Sequence, residues 1–268
     1  MRYIQMLMLF VFLFLYALSV QATDFSAGAS VQNELANFSP KEIVEFSKKV
    51  ERTLAAKGAH VAILARMGRP VSELPKGMHF THVGFAVYSE IVTSDGRKVP
   101  GYATYNLYQR EKSPDVSDLV QDFPVDFFSG VSVLEAGIII PSVELQKRLL
   151  SVISSPTYAA LHNPNYSVIA NPYKTSKQNC TAFVLDVINS AIYQTSDINI
   201  IKSNERKFFT AQEVNVNPVR LMLGAMFSSE VAMSDQDDTP VTATFETISR
   251  YLVKFDNGAE ILSVFPTS

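Results

Sequence analysis

The sequence of 268 residues has no tryptophan, a single cysteine and only four histidines. One cysteine excludes an internal disulfide and argues against a zinc site built on several thiolates. The formal net charge of −3 gives no indication of nucleic-acid binding. After residue 22, no apolar run has the length of a membrane span. Hydrophobic residues make up 47% of the chain, which is enough to build one large domain.

The N-terminus predicts an export signal. Arg2 precedes an apolar run over residues 3–20, and small residues at positions 20 and 22 fit the site that a signal peptidase reads. We expect residues 1–22 to be a removed signal peptide, which places the mature protein in the periplasm or cell envelope. A retained run would instead anchor the protein in a membrane. One interpretation is then a membrane-anchored assembly factor.

The remaining chain divides into three predicted parts. Residues 23–38 are small and polar and predict a flexible leader. Residues 39–195 form the predicted core, beginning with a helix whose capping box is Ser39 and Glu42. Residues 196–268 are expected to be a C-terminal extension that packs on the core. Asn257-Gly258 predicts a β-hairpin within it.

Cys180 opens the most informative stretch of the sequence. Apolar residues follow it at helical spacing, and Asn179 is a good N-cap. A thiol at the first position of a helix feels the positive end of the helix dipole, which favours the reactive thiolate. A buried structural cysteine is the alternative, since cysteine is among the most buried residues. In an exported protein a lone thiol is a liability unless it is buried or used.

A cysteine nucleophile needs a base, and His82 is the best candidate among the four histidines. It begins a predicted strand, and it shares one face of that strand with the small residues Gly84 and Ala86. We therefore expect this face to lie under the Cys180 helix. His162 is the rival base. His79 is a second-shell or substrate-contact candidate, and His60 is expected to face solvent.

The base needs a third group to orient its ring. Asn106 lies on the predicted partner strand and can accept a hydrogen bond from an imidazole N–H. It is our candidate for the third catalytic residue, and Gln109 on the opposite face of that strand is the alternative.

A long loop over residues 155–179 leads directly into Cys180. Loops of this length in a compact domain are usually functional or disordered. Polar and aromatic side chains of the loop are therefore candidates for substrate binding, with loop packing as the alternative. They are His162, Asn163, Tyr166 and Tyr173.

Several of these segments together resemble a known family. The sequence resembles a bacterial family of exported proteins classified as domain of unknown function 2145, over roughly residues 61–192. The segments that recur in order are residues 81–88, 105–109, 122–128 and 171–181. The glutamate that usually follows the cysteine in this family is replaced here by Ala182.

The order of His82 before Cys180 also resembles the circularly permuted branch of the NlpC-type papain-like superfamily, which includes lecithin-retinol-acyltransferase-like proteins. This resemblance implies an α+β fold, papain-like, with an antiparallel sheet packed against the Cys-bearing helix.

It also implies an exported thiol-dependent hydrolase or acyltransferase that acts on an amide or ester through the Cys-His pair. The substrate would be a cell-envelope peptide or lipid. We expect the protein to need no cofactor or metal, to bind no nucleic acid, and to contact a membrane only through an uncleaved N-terminus. A non-catalytic exported binding protein on the same scaffold is the alternative.

Overall fold

The computed structural model describes residues 37–70, 72, 74–214 and 233–267. Within these residues the strands are β1 (Val61–Met67), β2 (His82–Val92), β3 (Lys98–Arg110), β4 (Ser113–Asp122), β5 (Val133–Ile140), β6 (Gln212–Glu213), β7 (Val241–Thr242) and β8 (Glu260–Val264). The helices are α1 (Pro40–Ala56), α2 (Pro124–Phe127), α3 (Val143–Ile153), α4 (Pro156–Ala160), α5 (Cys180–Tyr193), α6 (Ile198–Phe208) and α7 (Phe245–Phe255). The predicted α+β class is confirmed.

The main sheet has the strand order β4-β3-β2-β1-β5-β8 in the described part of the chain, and all neighbouring strands are antiparallel. β1 lies inside the sheet, and its side chains are buried on both faces. β2 and β3 form the predicted hairpin around Asp95-Gly96, where Gly96 has a φ of +80°. The short strands β6 and β7 pair separately.

Helices cover both faces of the sheet. α3, α5 and α7 pack on one face, against side chains such as Val83 and Phe85 of β2. α1 and α2 pack on the other face, where Phe127 and Phe128 are fully buried. The core is therefore a sheet between two helical layers, and the alternation of side chains along each strand decides which layer a residue meets.

α1 begins as the sequence predicts. Ser39 accepts a hydrogen bond from the backbone N–H of Glu42, and the Glu42 carboxylate accepts one from the backbone N–H of Ser39. The capping box is thus confirmed. Ser142 likewise caps α3.

Three predicted segments need correction. The acidic and aromatic residues 117–130 predict a loop or short helix over the sheet, but residues up to Asp122 belong to β4, and the short helix is α2. The predicted C-terminal hairpin is also wrong, because Phe245, Ile248 and Leu252 are spaced for a helix and are buried as one face of α7. Asn257-Gly258 connects α7 to β8, which pairs with β5 and so completes the main sheet. Residues 196–208, expected to be less regular, include α6.

No helix in the described ranges has the length and apolar character needed to cross a membrane. The predicted signal peptide (residues 1–22), nearly all of the leader, and the short helix expected at residues 218–227 lie outside the described residues.

Candidate active site

A cavity of about 330 Å³ lies at one end of the sheet, where β1 ends and β2 begins. Its wall is completed by the C-terminal end of β3, the N-terminus of α5, the loop residues 166, 168 and 169, and residues 242–244. Cys180 and His82, which the sequence predicts as nucleophile and base, both border this cavity, and so does Tyr166. The fold thus brings residues that are far apart in the sequence to one site.

Cys180 is the first residue of α5, as predicted, and its position is fixed by the cap. The side-chain oxygen of Asn179 accepts a hydrogen bond from the N–H of Ala182 over 2.8 Å. Its Nδ2 donates to the carbonyl of Val168 over 2.8 Å and to the hydroxyl of Thr242 over 3.2 Å. Asn179 therefore ties the preceding loop and the C-terminal segment to the helix end that carries the thiol.

The Cys180 thiol is protonated in the resting protein. Burial raises the pKa of Cys180, although backbone N–H groups of Val83 and Thr181 and the Arg66 guanidinium act in the opposite direction. The N–H group of Thr181 at the helix N-terminus thus acts in the predicted direction, but desolvation outweighs the dipoles and the charge, so the net pKa of the thiol is raised. The N–H groups beside the sulfur remain suitable donors for an oxyanion.

His82 approaches the cavity from the other face of the sheet. Its ring lies on the side of α1 and α2, with its centroid 5.5 Å from that of Phe127. The expectation that α5 covers the His82 face is wrong, because the alternating residues Val83 and Phe85 meet that helix instead. His82 is nevertheless the first residue of β2, and the thiol lies against the N–H of the next residue. Both residues therefore border the cavity at this end of β2, from opposite faces of the sheet.

Asn106 contacts His82 as the sequence predicts. The distance from His82 Nε2 to Asn106 Oδ1 is 3.3 Å. Asn106 Nδ2 donates to Asp122 Oδ1 over 2.8 Å. Because an ionised carboxylate only accepts hydrogen bonds, the amide oxygen must face the imidazole, and Nε2 then carries the proton. In the neutral ring Nδ1 therefore has the lone pair that can accept a proton from a thiol.

Gly84 makes room for this contact. It lies opposite Asn106 in the β2–β3 register. A Cβ at position 84 would be 2.2 Å from Asn106 Oδ1 and 3.0 Å from the backbone oxygen of Tyr105. The small residue was expected to admit another element, but what it admits is the Asn106 side chain as it crosses β2 to reach His82.

The hydrogen bonds that begin at His82 and continue through Asn106 end at Asp122. It accepts from the hydroxyl of Tyr108 over 2.9 Å and from the hydroxyl of Thr104, besides Asn106. Burial raises the pKa of Asp122 to about 6 despite these donors. The Tyr108 ring also stacks on His82, with centroids 4.8 Å apart. The carboxylate and the stacked ring together limit how the imidazole can turn.

His82 is neutral at neutral pH. Burial, followed by the charge of Arg66, lowers the pKa of His82 well below its ordinary value, and the hydrogen bond with Asn106 raises it only in part. The site therefore holds a neutral thiol and a neutral imidazole.

Of the four loop residues predicted to bind substrate, only Tyr166 borders the cavity. His162 Nε2 lies 3.0 Å from the Ser117 hydroxyl. Asn163 donates to the backbone oxygen of Thr175, inside the loop. The Tyr173 hydroxyl donates to the backbone oxygen of residue 209, a contact that joins the loop to the chain after α6. His162, Asn163 and Tyr173 thus shape the loop rather than the cavity.

The other residues considered as alternatives have contacts of their own. His79 Nε2 is 2.9 Å from Glu135 Oε2, and His60 is exposed, as expected. Gln109 borders the cavity, but its amide nitrogen donates to the backbone oxygen of Pro114 over 2.7 Å. None of them contacts the His82 ring.

Sequence reasoning missed three parts of the site: Arg66, Asp122 and residues 242–244. Arg66 is only 4% exposed and borders the cavity. An arginine within the apolar strand β1 is a sequence signal that could have identified it. Asp122 needed the register of β3 and β4, and residues 242–244 are brought to the cavity by long-range packing that no local pattern shows.

Within the described residues, no three His, Cys, Asp or Glu side chains converge in an arrangement that could hold a metal ion.

Comparisons with known proteins place the chain in a family. A search of curated proteins finds no match. Among solved structures, the chain is similar to the crystal structure of the metalloprotein yiiX from Escherichia coli O157:H7 (DUF1105), with 12% identity and a TM-score of 0.45. That match covers 78% of this chain and 98% of the other, and the similarity is too low to support a conclusion. The model of a family described as uncharacterized proteins conserved in bacteria (DUF2145) matches residues 53–252, and the chain belongs to this family.

Proposed function

We propose that this protein is an exported thiol-dependent hydrolase or acyltransferase that attacks an amide or ester through Cys180 and His82. The observation that carries the proposal is one cavity bordered by a thiol at a helix N-terminus and by a histidine whose ring is oriented by Asn106. A nucleophile, a base and an orienting group are the components that nucleophilic acyl transfer requires.

Catalysis begins from the neutral pair. His82 Nδ1 takes the proton of the Cys180 thiol as the sulfur attacks the substrate carbonyl and the C–S bond forms. The imidazolium donates through Nε2–H to Asn106, and Asp122 holds that amide in place. Backbone N–H groups beside the sulfur stabilise the oxyanion.

The second half of the reaction restores the enzyme. His82 returns the proton to the departing amine or alcohol as the carbonyl carbon–heteroatom bond breaks, which leaves a thioester on Cys180. Water, or the hydroxyl or amine of an acceptor, then attacks the thioester while His82 accepts its proton. The thiol is released with that proton, so charge and atoms balance.

The same geometry supports a permuted papain-like arrangement as part of the proposal. α5 carries the cysteine and packs on the antiparallel sheet, and the histidine strand β2 precedes it in the chain. The apolar run and the small residues at positions 20 and 22 support export to the cell envelope. We propose a cell-envelope peptide or lipid as the substrate.

A binding protein without catalytic activity is the second candidate. It is favoured by the burial of Cys180, which raises the pKa of the thiol, and by the sheet that separates the faces of His82 and α5. In that case the cavity would hold a ligand and the thiol would be part of its wall.

The formation of an acyl-enzyme separates the two candidates. We would mix the protein with p-nitrophenyl butyrate and follow nitrophenol release together with the intact mass of the protein. We expect a butyryl group on Cys180 that disappears with turnover. Acylation should be lost in Cys180→Ala and slowed at least about 100-fold in His82→Ala, the lower range of general-base effects. His60→Ala is the matched control, because His60 is exposed and away from the cavity.

An unmodified Cys180, or equal acylation of wild type and His82→Ala, would contradict the hydrolase and favour the binding protein.

A further inference from the structure

The cavity has an unbalanced charge. Arg66 and Arg69 border it, and no aspartate or glutamate is among the described residues that do so. The N-terminus of α5 opens onto the same space and adds the positive end of a helix of 14 residues. These features favour a ligand with a negative charge.

Arg66 is the strongest of these features because it is buried. It is 4% exposed, and Nη1 donates to the backbone oxygen of Phe127 over 2.5 Å. Its guanidinium carbon lies 5.6 Å from the Tyr108 ring centroid and 5.3 Å from that of Phe127. Nε has no hydrogen-bond partner in the described part of the chain. A buried donor without a partner is costly, so a ligand that accepts from it gains affinity.

Few carboxylates of the protein compensate the positive charge of Arg66. Arg66 forms no ion pair within the described residues. Asp122 interacts with it electrostatically, but that carboxylate is occupied by three donors and does not border the cavity. Asp126 is engaged at the start of α2, where it accepts from the N–H of Phe123. A buried cation with so little compensation is a site for an anion.

Apolar side chains form a large part of the cavity wall, beside neutral polar ones such as Gln109 and Thr242. Leu74, Met78, Phe80, Leu107 and Ile169 border it. Burying a hydrocarbon against these side chains removes apolar surface from water and so stabilises a complex. The wall therefore suits a molecule that combines a hydrocarbon part with one charged group.

We propose that the cavity binds the carboxylate or phosphate of an otherwise apolar acyl compound against Arg66, and that this anionic group selects the substrate of Cys180. The proposal rests on the proposed function for the role of Cys180, but anion binding itself does not require catalysis.

Two alkylating reagents of nearly equal size test the selection. Iodoacetate is an anion and iodoacetamide is neutral, and both modify thiolates. For Cys180 we would divide the rate with iodoacetate by the rate with iodoacetamide. The same ratio is measured for glutathione, and the quotient is the ratio for Cys180 divided by the ratio for glutathione. This quotient does not depend on how much thiolate is present. We expect the quotient to be about ten or more, which corresponds to about 1.4 kcal/mol of charge interaction.

Arg66→Gln should bring the quotient close to one, whereas Arg148→Gln should leave it unchanged, since Arg148 pairs with Glu144 on the exposed side of α3. Equal quotients in wild type and Arg66→Gln would overturn the proposal. A wild-type quotient close to one, together with acylation of Cys180 by p-nitrophenyl butyrate, would overturn only the anion site. A high quotient without acylation would overturn only the hydrolase.

A second measurement uses the wild-type protein and needs neither the variant nor the thiol. We would compare the thermal unfolding midpoint in hexanoate, hexanamide and inorganic phosphate at equal ionic strength. A ligand that binds the folded state raises the midpoint. We expect a rise with hexanoate and none with hexanamide, and a rise with phosphate as well if the site accepts phosphate. Equal effects of hexanoate and hexanamide would overturn the proposal.

Discussion

Gly84→Ala should damage the site without removing any group that we propose to take part in the chemistry, because it displaces the Asn106 side chain. The new Cβ would be 2.2 Å from Asn106 Oδ1, so this side chain has to move by more than 1 Å to reach an ordinary contact of about 3.4 Å. The Tyr105 backbone oxygen, at 3.0 Å, cannot move away because β3 is paired on both sides. Overpacking of this kind costs about 1–3 kcal/mol.

The displaced amide adds to this cost. Asn106 is 1% exposed and would lose its hydrogen bonds with His82 and Asp122. A buried polar group left without partners costs about 1–3 kcal/mol. We therefore expect Gly84→Ala to lower the free energy of unfolding by about 2–6 kcal/mol. Urea unfolding followed by circular dichroism measures it.

Gly101→Ala is the matched control in the same hairpin. The nearest atom to its new Cβ is Ile91 Cδ1, at 2.6 Å, and this is the end of a flexible side chain that can rotate away. We expect a change below about 1 kcal/mol, since alanine also loses less backbone entropy than glycine when the strand forms. In an Asn106→Ala background, Gly84→Ala should lose most of its cost. Equal costs at the two glycines, or an unchanged cost in that background, would refute the reasoning.

Two further predictions concern buried charges. The pKa of Asp122, about 6, lies above its value of 3.8 in the unfolded chain, so the folded state holds the proton more tightly and stability is lost as pH rises through that range. The free energy of unfolding of the wild type, measured relative to that of Asp122→Asn, should fall by up to about 3 kcal/mol between about pH 4 and about pH 7. If urea titrations show that the difference between the two proteins does not change with pH, this prediction is wrong. Lys202→Met should cost about 3–5 kcal/mol in the same assay, because it leaves the buried Asp186 unpaired. Lys174→Met, which removes an exposed ion pair with Asp237, should cost less than about 1 kcal/mol, and a similar cost for both lysines would refute this account.

The sequence predicted those parts of the fold that local chemistry determines. The capping box of Ser39 and Glu42 marks the start of α1, and Asp95-Gly96 marks the β2–β3 hairpin. Asn179 before Cys180 marks the start of α5. Each signal lies within a few residues of the feature that it determines.

The sequence failed where distant contacts decide. Asp122 lies in a segment whose sequence predicts a loop or short helix over the sheet, but its pairing with Thr104 in the β3–β4 register brings it to Asn106. The sequence did not predict the helix α7, because Asn257-Gly258 is typical of the turn between two strands of a hairpin. In the structure these residues connect a helix to a strand.

The faces of β2 were predicted from alternation alone. That pattern sorts His82 and Val83 to opposite sides, but it does not say which side receives α5. The pairing of His82 with Asn106 could be predicted, because both residues lie on the paired strands of one hairpin.

The dependence of Cys180 reactivity on His82 tests the central claim most directly. We would measure the rate of alkylation by iodoacetamide from about pH 6 to about pH 9 in wild type, His82→Ala and His60→Ala. We expect the rate at neutral pH to fall at least about tenfold in His82→Ala, because the buried thiol loses the group that takes its proton. His60→Ala should match the wild type. Equal rates in all three proteins would show that His82 does not act on Cys180.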